Sequence, residues 1–255
     1  MADRGFVRVE EDGVVTRLTM DRPERRNALS TGMMTELTEA LRAAAGRVVV
    51  IAGEGPAFSA GHDLAELQAA DPAEAERIFA TCTELMTTVQ SVDQPVIARV
   101  HGVATAAGCQ LVAACDLAVA EAGARFATPG VRIGLFCSTP MVPLARAVGP
   151  KRALEMLFTG DLVDAATAEA WGLVNRVVPA ERLDDEVAAL AQRIAEASPM
   201  VLALGKRTFY AQAAMAQAEA YELAGATMCA NLDTHDTREG ISAFLEKRTP
   251  TWSGR

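Results

Sequence analysis

Apolar and polar positions alternate along Phe6–Glu10 and Val14–Met20, on either side of Asp12-Gly13. A period of two flanking a turn pair predicts a β-hairpin. The period then changes. Met34, Leu37 and Leu41 fall at helical spacing, which predicts a helix opened by Ser30 or Thr31 and running to about Ala45. Arg47–Ala52 reads as a strand, Gly53–Asp63 as a glycine-rich loop, and Pro72–Ser91 as a helix with Ile78, Cys82, Leu85, Met86 and Val89 on one face. Strands are predicted over Pro95–Val100, Leu117–Ala120, Arg125–Thr128 and Val174–Val178. Helices are predicted over Ser138–Val148, Lys151–Thr159 and Asp164–Trp171. From Ala180 the pattern is almost all helical: Glu181–Ala197, Pro199 to about Tyr221, and Thr237–Lys247. Strands alternating with helices predict an α/β class. The helical tail carries apolar positions of its own (Leu190, Ile194, Ile241, Phe244, Leu245), which either pack back on the core or meet a partner subunit.

The stretch Gln94–Asp116 organises the reading. A buried strand ends at Gly102, and five small residues, Ala104, Thr105, Ala106, Ala107 and Gly108, lead into a helix marked by Leu111, Val112 and Cys115. A helix start leaves backbone N–H groups without intrahelical partners, at the positive end of the helix dipole. Such a start suits a negative oxygen. Tight packing of strand against helix selects the same small residues.

Composition narrows the options. Half of the 255 residues are apolar and 22% are charged, enough for a sizeable core. A net charge of −9 argues against a nucleic-acid surface. No run approaches the length of a membrane span. The charged N-terminus MADRGFVRVEEDG has neither a signal core nor a transit pattern. Five cysteines without a CxxC pair predict reduced thiols and a cytoplasmic protein. Three separated histidines form no metal constellation, and no cofactor is expected beyond a ligand's own.

Four segments carry a family resemblance: RPERRNALS (Arg22–Ser30), AFSAGHDLAEL (Ala57–Leu67), PVIARVHGVATAAGCQLVAACDLAVA (Pro95–Ala120) and ALEMLFTGDLVDAATAEAWGLVNRVVP (Ala153–Pro179). In this order they resemble the enoyl-CoA hydratase/isomerase (crotonase) superfamily, over nearly the whole chain. The run FATPGVRIGLFCSTP (Phe126–Pro140) is most similar to its enoyl-CoA hydratase domain-containing members. The resemblance implies a ββα spiral core over residues 1–197 and a C-terminal helical trimerisation region over 198–255. It implies a homotrimer or dimer of trimers and an acyl-CoA thioester as ligand, with coenzyme A present only as part of that thioester. The family holds the thioester oxygen with two backbone N–H groups. Here these fall at His62, after Ala60-Gly61, and at Ala107, beside Gly108. Its CoA-binding positions correspond to Arg25, Arg26 and Ala28, with Phe244 and Lys247 on the last helix. Leu64 and Phe136 are expected at the ligand, with Met86, Leu135 and Phe136 giving an apolar acyl pocket.

The chain departs from the family at the two glutamates that serve hydration, which correspond to Gln110 and Gly130. An amide orients water but does not exchange a proton near neutrality, and glycine has no side chain. General acid–base help is worth about 10²–10⁴ in rate, so rapid hydration is not expected. Gln94–Cys115 and Ala122–Leu154 contain no Asp or Glu to substitute. Asp63 reads as a helix cap, Glu84 as exposed, and Asp116 as a partner of backbone groups. Ser138, with Cys137 and Thr139, is either a polar group at the pocket or part of a helix cap. The His62 side chain is either a titrating group at the site or a loop histidine. A non-catalytic acyl-CoA binder on the same fold is the alternative function.

Overall fold

The computed structural model describes residues 5–255. Met1–Arg4, the start of the charged N-terminal segment, lie outside the described residues. The fold is α/β. A six-stranded sheet runs in the order β1 (Val7–Asp12), β2 (Val15–Met20), β3 (Val48–Gly53), β4 (Val96–Val100), β6 (Leu117–Glu121), β9 (Arg176–Val178). β1 and β2 form the expected antiparallel hairpin, with Val7 opposite Met20; every other pairing in this sheet is parallel. A second sheet joins β5 (Val103–Thr105), β7 (Arg125–Ala127) and β8 (Val163–Asp164).

β3 shows why the core has two sides. Its run VVVIAG is buried throughout, as a central parallel strand covered on both faces must be. Val49 and Ile51 join a large apolar cluster with α1 (Thr31–Ala43), α3 (Pro72–Ser91) and α4 (Ala107–Ala114). Val48 and Val50 point the other way, onto Leu183, Val187, Leu190 and Ala191 of α8 (Leu183–Ala195). That spacing of four, three and one is one helix face. Leu190 therefore packs back on the core. The last helix, α11 (His235–Glu246), does the opposite: Phe244 is 82% exposed and Leu245 73%.

Most helix starts follow local chemistry. Ser30 caps α1 by accepting the Met33 N–H, and Asp71 caps α3 by accepting from Glu74. Asp63 caps α2 (Leu64–Ala69), as its position predicted, and Asp164 caps α7 (Ala165–Trp171). Two expectations fail. The helix expected from Ser138 begins at Met141 (α5, Met141–Val148), with Pro140 at its cap position and no side-chain cap bond; α6 (Pro150–Thr159) follows it after Gly149. The helix expected from Pro199 to about Tyr221 is two helices, α9 (Pro199–Gln212) and α10 (Gln217–Leu232).

α9 is clamped to the core around Asp116. Lys206 Nζ donates to the Val89 and Gln94 carbonyls, each at 2.8 Å, and pairs with Asp116 at 2.7 Å. Tyr210 donates to the other Asp116 oxygen at 2.7 Å, while Asp116 also accepts the Val96 N–H. The tail closes on Asp236, which is wholly buried and accepts from Ser198 Oγ, from the Ser253 N–H and hydroxyl, and from the Gly254 N–H.

Candidate functional site

Three chain segments meet at the N-terminus of α4. The loop after β3 runs beside β5: Ser59 N–H donates to the Val103 carbonyl and Thr105 N–H returns to Ser59. Thr105 Oγ1 donates to the Ala60 carbonyl at 3.1 Å. The loop before α1 fastens the other side, with Ala60 N–H on Arg26 and Leu29 N–H on Gly61. Asn27 holds these together from inside: its side-chain amide donates to the Glu54 and Ala57 carbonyls at 2.8 Å, and its backbone carbonyl accepts from Ser59 Oγ. Asn27 and Ser59 carry no chemistry of their own, and their residue types give no sign of this role in the sequence.

This lacing brings Gly61 against Ala106 and Ala107. A Cβ on Gly61 would lie 2.8 Å from Ala106 Cβ and 3.2 Å from the Ala107 nitrogen, and its φ of +93° suits only glycine. Gly108 is similarly confined, since a Cβ there would lie 2.4 Å from the Ser59 carbonyl oxygen. Ala106 has φ 50° and ψ −117°, a left-handed conformation that costs a non-glycine residue about 1–3 kcal/mol. That turn swings the chain from β5 into α4. Ala107 is the first residue of α4, where the N–H has no acceptor within the helix. The Leu29–His62 bridge runs through the Leu29 N–H and leaves the His62 N–H out of that bond.

Both residues line a cavity of about 410 Å³. Its wall includes Ala60, Leu64, Leu67, Phe79, Ile133, Leu135 and Phe136, and it carries no carboxylate. Its charged member, Arg132, is held by the Thr159 carbonyl at 3.1 Å and by Asp161. Cys137 and Ser138 also line it. Burial pushes the Cys137 thiol up, so it stays protonated. Ser138 is exposed, and its Oγ is 3.4 Å from the Phe136 carbonyl.

Gly130 lies on this wall, and its conformation shuts out a side chain. The 3-10 turn Pro129–Ile133 ends in left-handed Gly134, and Leu135 N–H returns to the Gly130 carbonyl at 3.0 Å. A Cβ on Gly130 would lie 2.0 Å from the Leu135 carbonyl oxygen and 2.8 Å from Cys137 Sγ. Gln110 is buried one turn into α4, behind the wall, with Cys82 Sγ 3.8 Å from its Oε1.

The His62 imidazole is packed into the protein beside the cavity. Its Nδ1 is 3.4 Å from the Leu29 carbonyl, its ring meets Phe79 edge-on at 5.5 Å, and its Nε2 is buried without a hydrogen-bond partner. Burial lowers its pKa, against the Leu29 carbonyl and the Glu66 charge, which raise it. The remaining expected ligand residues lie off this wall. Arg25 is exposed and binds both Asp63 oxygens at 2.8–2.9 Å. Arg26, in a left-handed conformation, and Ala28 shape the same loop. Phe244 and Lys247 are exposed at the end of α11 and do not reach the cavity of their own chain.

Comparison with known proteins gives a consistent result. The family model described as enoyl-CoA hydratase/isomerase matches residues 10–255. The chain is 48% identical over 249 residues to enoyl-CoA hydratase domain-containing protein 3, mitochondrial, of Danio rerio, covering 96% of this chain and 86% of that protein. A crystal structure of an enoyl-CoA hydratase from Mycobacterium smegmatis superimposes with a TM-score of 0.95 at 49% identity, covering 98% of this chain and 99% of the other. The human enoyl-CoA hydratase domain-containing protein 3 structure gives 0.93 at 44% identity, over 97% of this chain and all of that one. The mitochondrial designation of the Danio rerio relative and its human and rat counterparts overturns the cytoplasmic expectation. The five free cysteines argue against a disulfide framework but do not choose a compartment.

Proposed function

The chain belongs to the enoyl-CoA hydratase/isomerase family, and on that premise we propose that it binds an acyl-CoA thioester with the carbonyl oxygen between the His62 and Ala107 N–H groups. The observation that supports this most is the close approach of Gly61, the residue before His62, to Ala107 beside an apolar cavity that both His62 and Ala107 line. Two donors shared by one oxygen would favour the enolate over the neutral thioester carbonyl. In a site that excludes water, each is worth roughly 3 kcal/mol. Ala60, Gly61 and Gly108 let the thioester approach the backbone. Leu64 and Phe136 meet the acyl chain. Arg25, Arg26 and Ala28 take the CoA part, joined by Phe244 and Lys247 of a neighbouring subunit. On this reading the described residues up to 197 form the ββα spiral core and 198–255 the trimerisation region of a homotrimer or dimer of trimers. The exposed apolar side chains of α10 and α11 support that division.

Hydration is the reaction this site serves worst. Gln110 is an amide, Gly130 has no room for an acid, and Ser138 offers a hydroxyl that does not ionise near neutrality. Crotonyl-CoA is expected to bind while its enoyl absorbance falls at least about 10²-fold more slowly than a family member with both glutamates achieves. Turnover in the ordinary hydratase range would refute this. The wall without carboxylates also supports a second reading, a thioester binder without turnover. It predicts micromolar binding of acyl-CoA and no change in any enoyl, dienoyl or β-keto thioester.

A further inference from the structure

We propose that Asn27 is the positioning residue that aims the His62 N–H. Through the loop it anchors, Asn27 fixes the peptide plane carrying this donor, and so joins the loop expected to hold coenzyme A to the thioester carbonyl. The inference rests on the thioester reading above. The Gly61 carbonyl and the His62 N–H belong to one trans peptide unit and therefore point in opposite directions. The Gly61 carbonyl accepts the Leu29 N–H at 2.7 Å. That bond turns the His62 N–H away from Leu29 and sets its direction.

The same loop grips the chain on both sides of this unit. Before it, the Arg26 carbonyl accepts the Ala60 N–H at 3.0 Å, and Ser59 Oγ accepts the Gly61 N–H at 3.3 Å. After it, Arg25 Nη2 takes both Asp63 oxygens at 2.8–2.9 Å. The loop in turn hangs on Asn27, which is wholly buried while Arg25 and Arg26 are exposed. The Asn27 side-chain oxygen accepts the Arg22 N–H at 3.0 Å, and its amide donates to the Glu54 and Ala57 carbonyls at 2.8 Å. Its backbone carbonyl accepts from Ser59 Oγ at 2.8 Å, so the hydroxyl that holds the Gly61 N–H is itself held by Asn27.

Backbone conformation adds to the case. Arg26 and Asn27 have φ of 50° and 52°, a region that non-glycine residues enter rarely and asparagine more readily than most. Two successive left-handed residues relax unless other bonds hold them, and the three side-chain bonds of Asn27 do so. Arg25 and Arg26 face outward from this turn, where the thioester reading puts the CoA part. Anchoring CoA there and polarising the carbonyl at His62 therefore act on one laced unit, and the coupling between them is reciprocal.

The test is the infrared carbonyl band of butyryl-CoA bound to the full-length protein, isolated by difference between ligand with and without heavy carbon at the thioester carbonyl. Binding to wild type is expected to lower the band frequency, because donors at the oxygen weaken the C=O bond. Asn27→Gly removes the three side-chain bonds and still accepts a positive φ. It is expected to lose about half of that shift, one donor of two being misaimed. A purely structural role would lower the melting temperature and leave the band of the bound ligand where wild type puts it. Loss of less than a quarter of the shift in Asn27→Gly overturns the inference and leaves the thioester reading standing. Failure of wild type to bind butyryl-CoA, or binding with no shift of the band, overturns both. Should Asn27→Gly not fold, Ser59→Ala, which cuts the bonds to the Asn27 carbonyl and the Gly61 N–H, is read by the same criteria.

Discussion

Placing an acid at position 130, where the family resemblance leads one to expect a glutamate, is expected to damage this protein. In Gly130→Ala the new Cβ would sit 2.0 Å from the Leu135 carbonyl oxygen. Ordinary contact needs about 1.2 Å more, so the 135–137 segment must move outward by roughly that amount. Two costs follow. Overpacking a fitted site costs about 1–3 kcal/mol. Losing the Leu135 N–H bond to the Gly130 carbonyl adds about 0.5–1.5 kcal/mol. The sum, about 2–4 kcal/mol, lowers the melting temperature of a chain this size by roughly 5–15 °C. Gly130→Glu carries the same backbone penalty plus a carboxylate against Cys137 and an apolar wall. It is expected to hydrate crotonyl-CoA no faster than wild type. Calorimetric melting at one fixed protein concentration measures the first claim, and loss of the enoyl absorbance measures the second. If Gly130→Ala melts within about a degree of wild type, or Gly130→Glu gains hydratase activity at unchanged stability, the packing argument is wrong.

Other expectations address the rest of the molecule. Asp116→Ala leaves Lys206, whose side chain is only 7% exposed, without its carboxylate, though two carbonyls remain. The expected loss is about 3 kcal/mol, the lower end for breaking a buried pair, read as a shifted urea midpoint with early hydrogen exchange in α9. The Asp236 carboxyl gives a pH dependence. Burial alone would raise its pKa, but hydrogen bonds from Ser198, Ser253 and Gly254 outweigh that and hold it below the usual range. A depressed carboxyl contributes stability above its unfolded value near 3.9 and loses it as pH falls from there toward the folded value. Trp252, whose indole donates to the Glu196 carbonyl, is expected to shift its emission in that acid window in a Trp171→Phe background, and at neutral pH already in Asp236→Ala. Thiol titration at pH 8 is expected to find Cys229 first, since it alone is exposed among the five cysteines, and all five after denaturation. Burial pushes Cys82 and Cys109 up to about 12, and butyryl-CoA is expected to slow labelling of Cys137.

Periodicity recovered the main sheet and most helices because the main driving force, burial on one face or two, is written into residue type. The Pro72–Ser91 helix has the bounds its pattern predicts. It failed where local sequence is neutral. Residues 211–221 are mostly good helix formers, yet α9 stops at Gln212 and α10 starts at Gln217. No glycine or proline marks the break. β5 reads in sequence only as small residues; it is a strand because β7 lies beside it, with Val103 opposite Arg125. The site divides in the same way. The close approach of Gly61 to Ala107 is legible because it demands small residues in sequence. The left-handed turn at Ala106 is not, because alanine does not advertise a positive φ. Position 130 combines both cases. Its glycine reads in sequence as a lost acid, as though the space beside it stood empty. In the fold that space is filled by a carbonyl five residues on, and Pro129–Cys137 is laid out around it. Changing the chemistry there means rebuilding the loop as well as exchanging one residue, and the same segment supplies the apolar wall from Ile133 to Phe136. The glycine at 130 and the closed wall are therefore one structural feature, since a side chain there would displace the segment that closes the cavity.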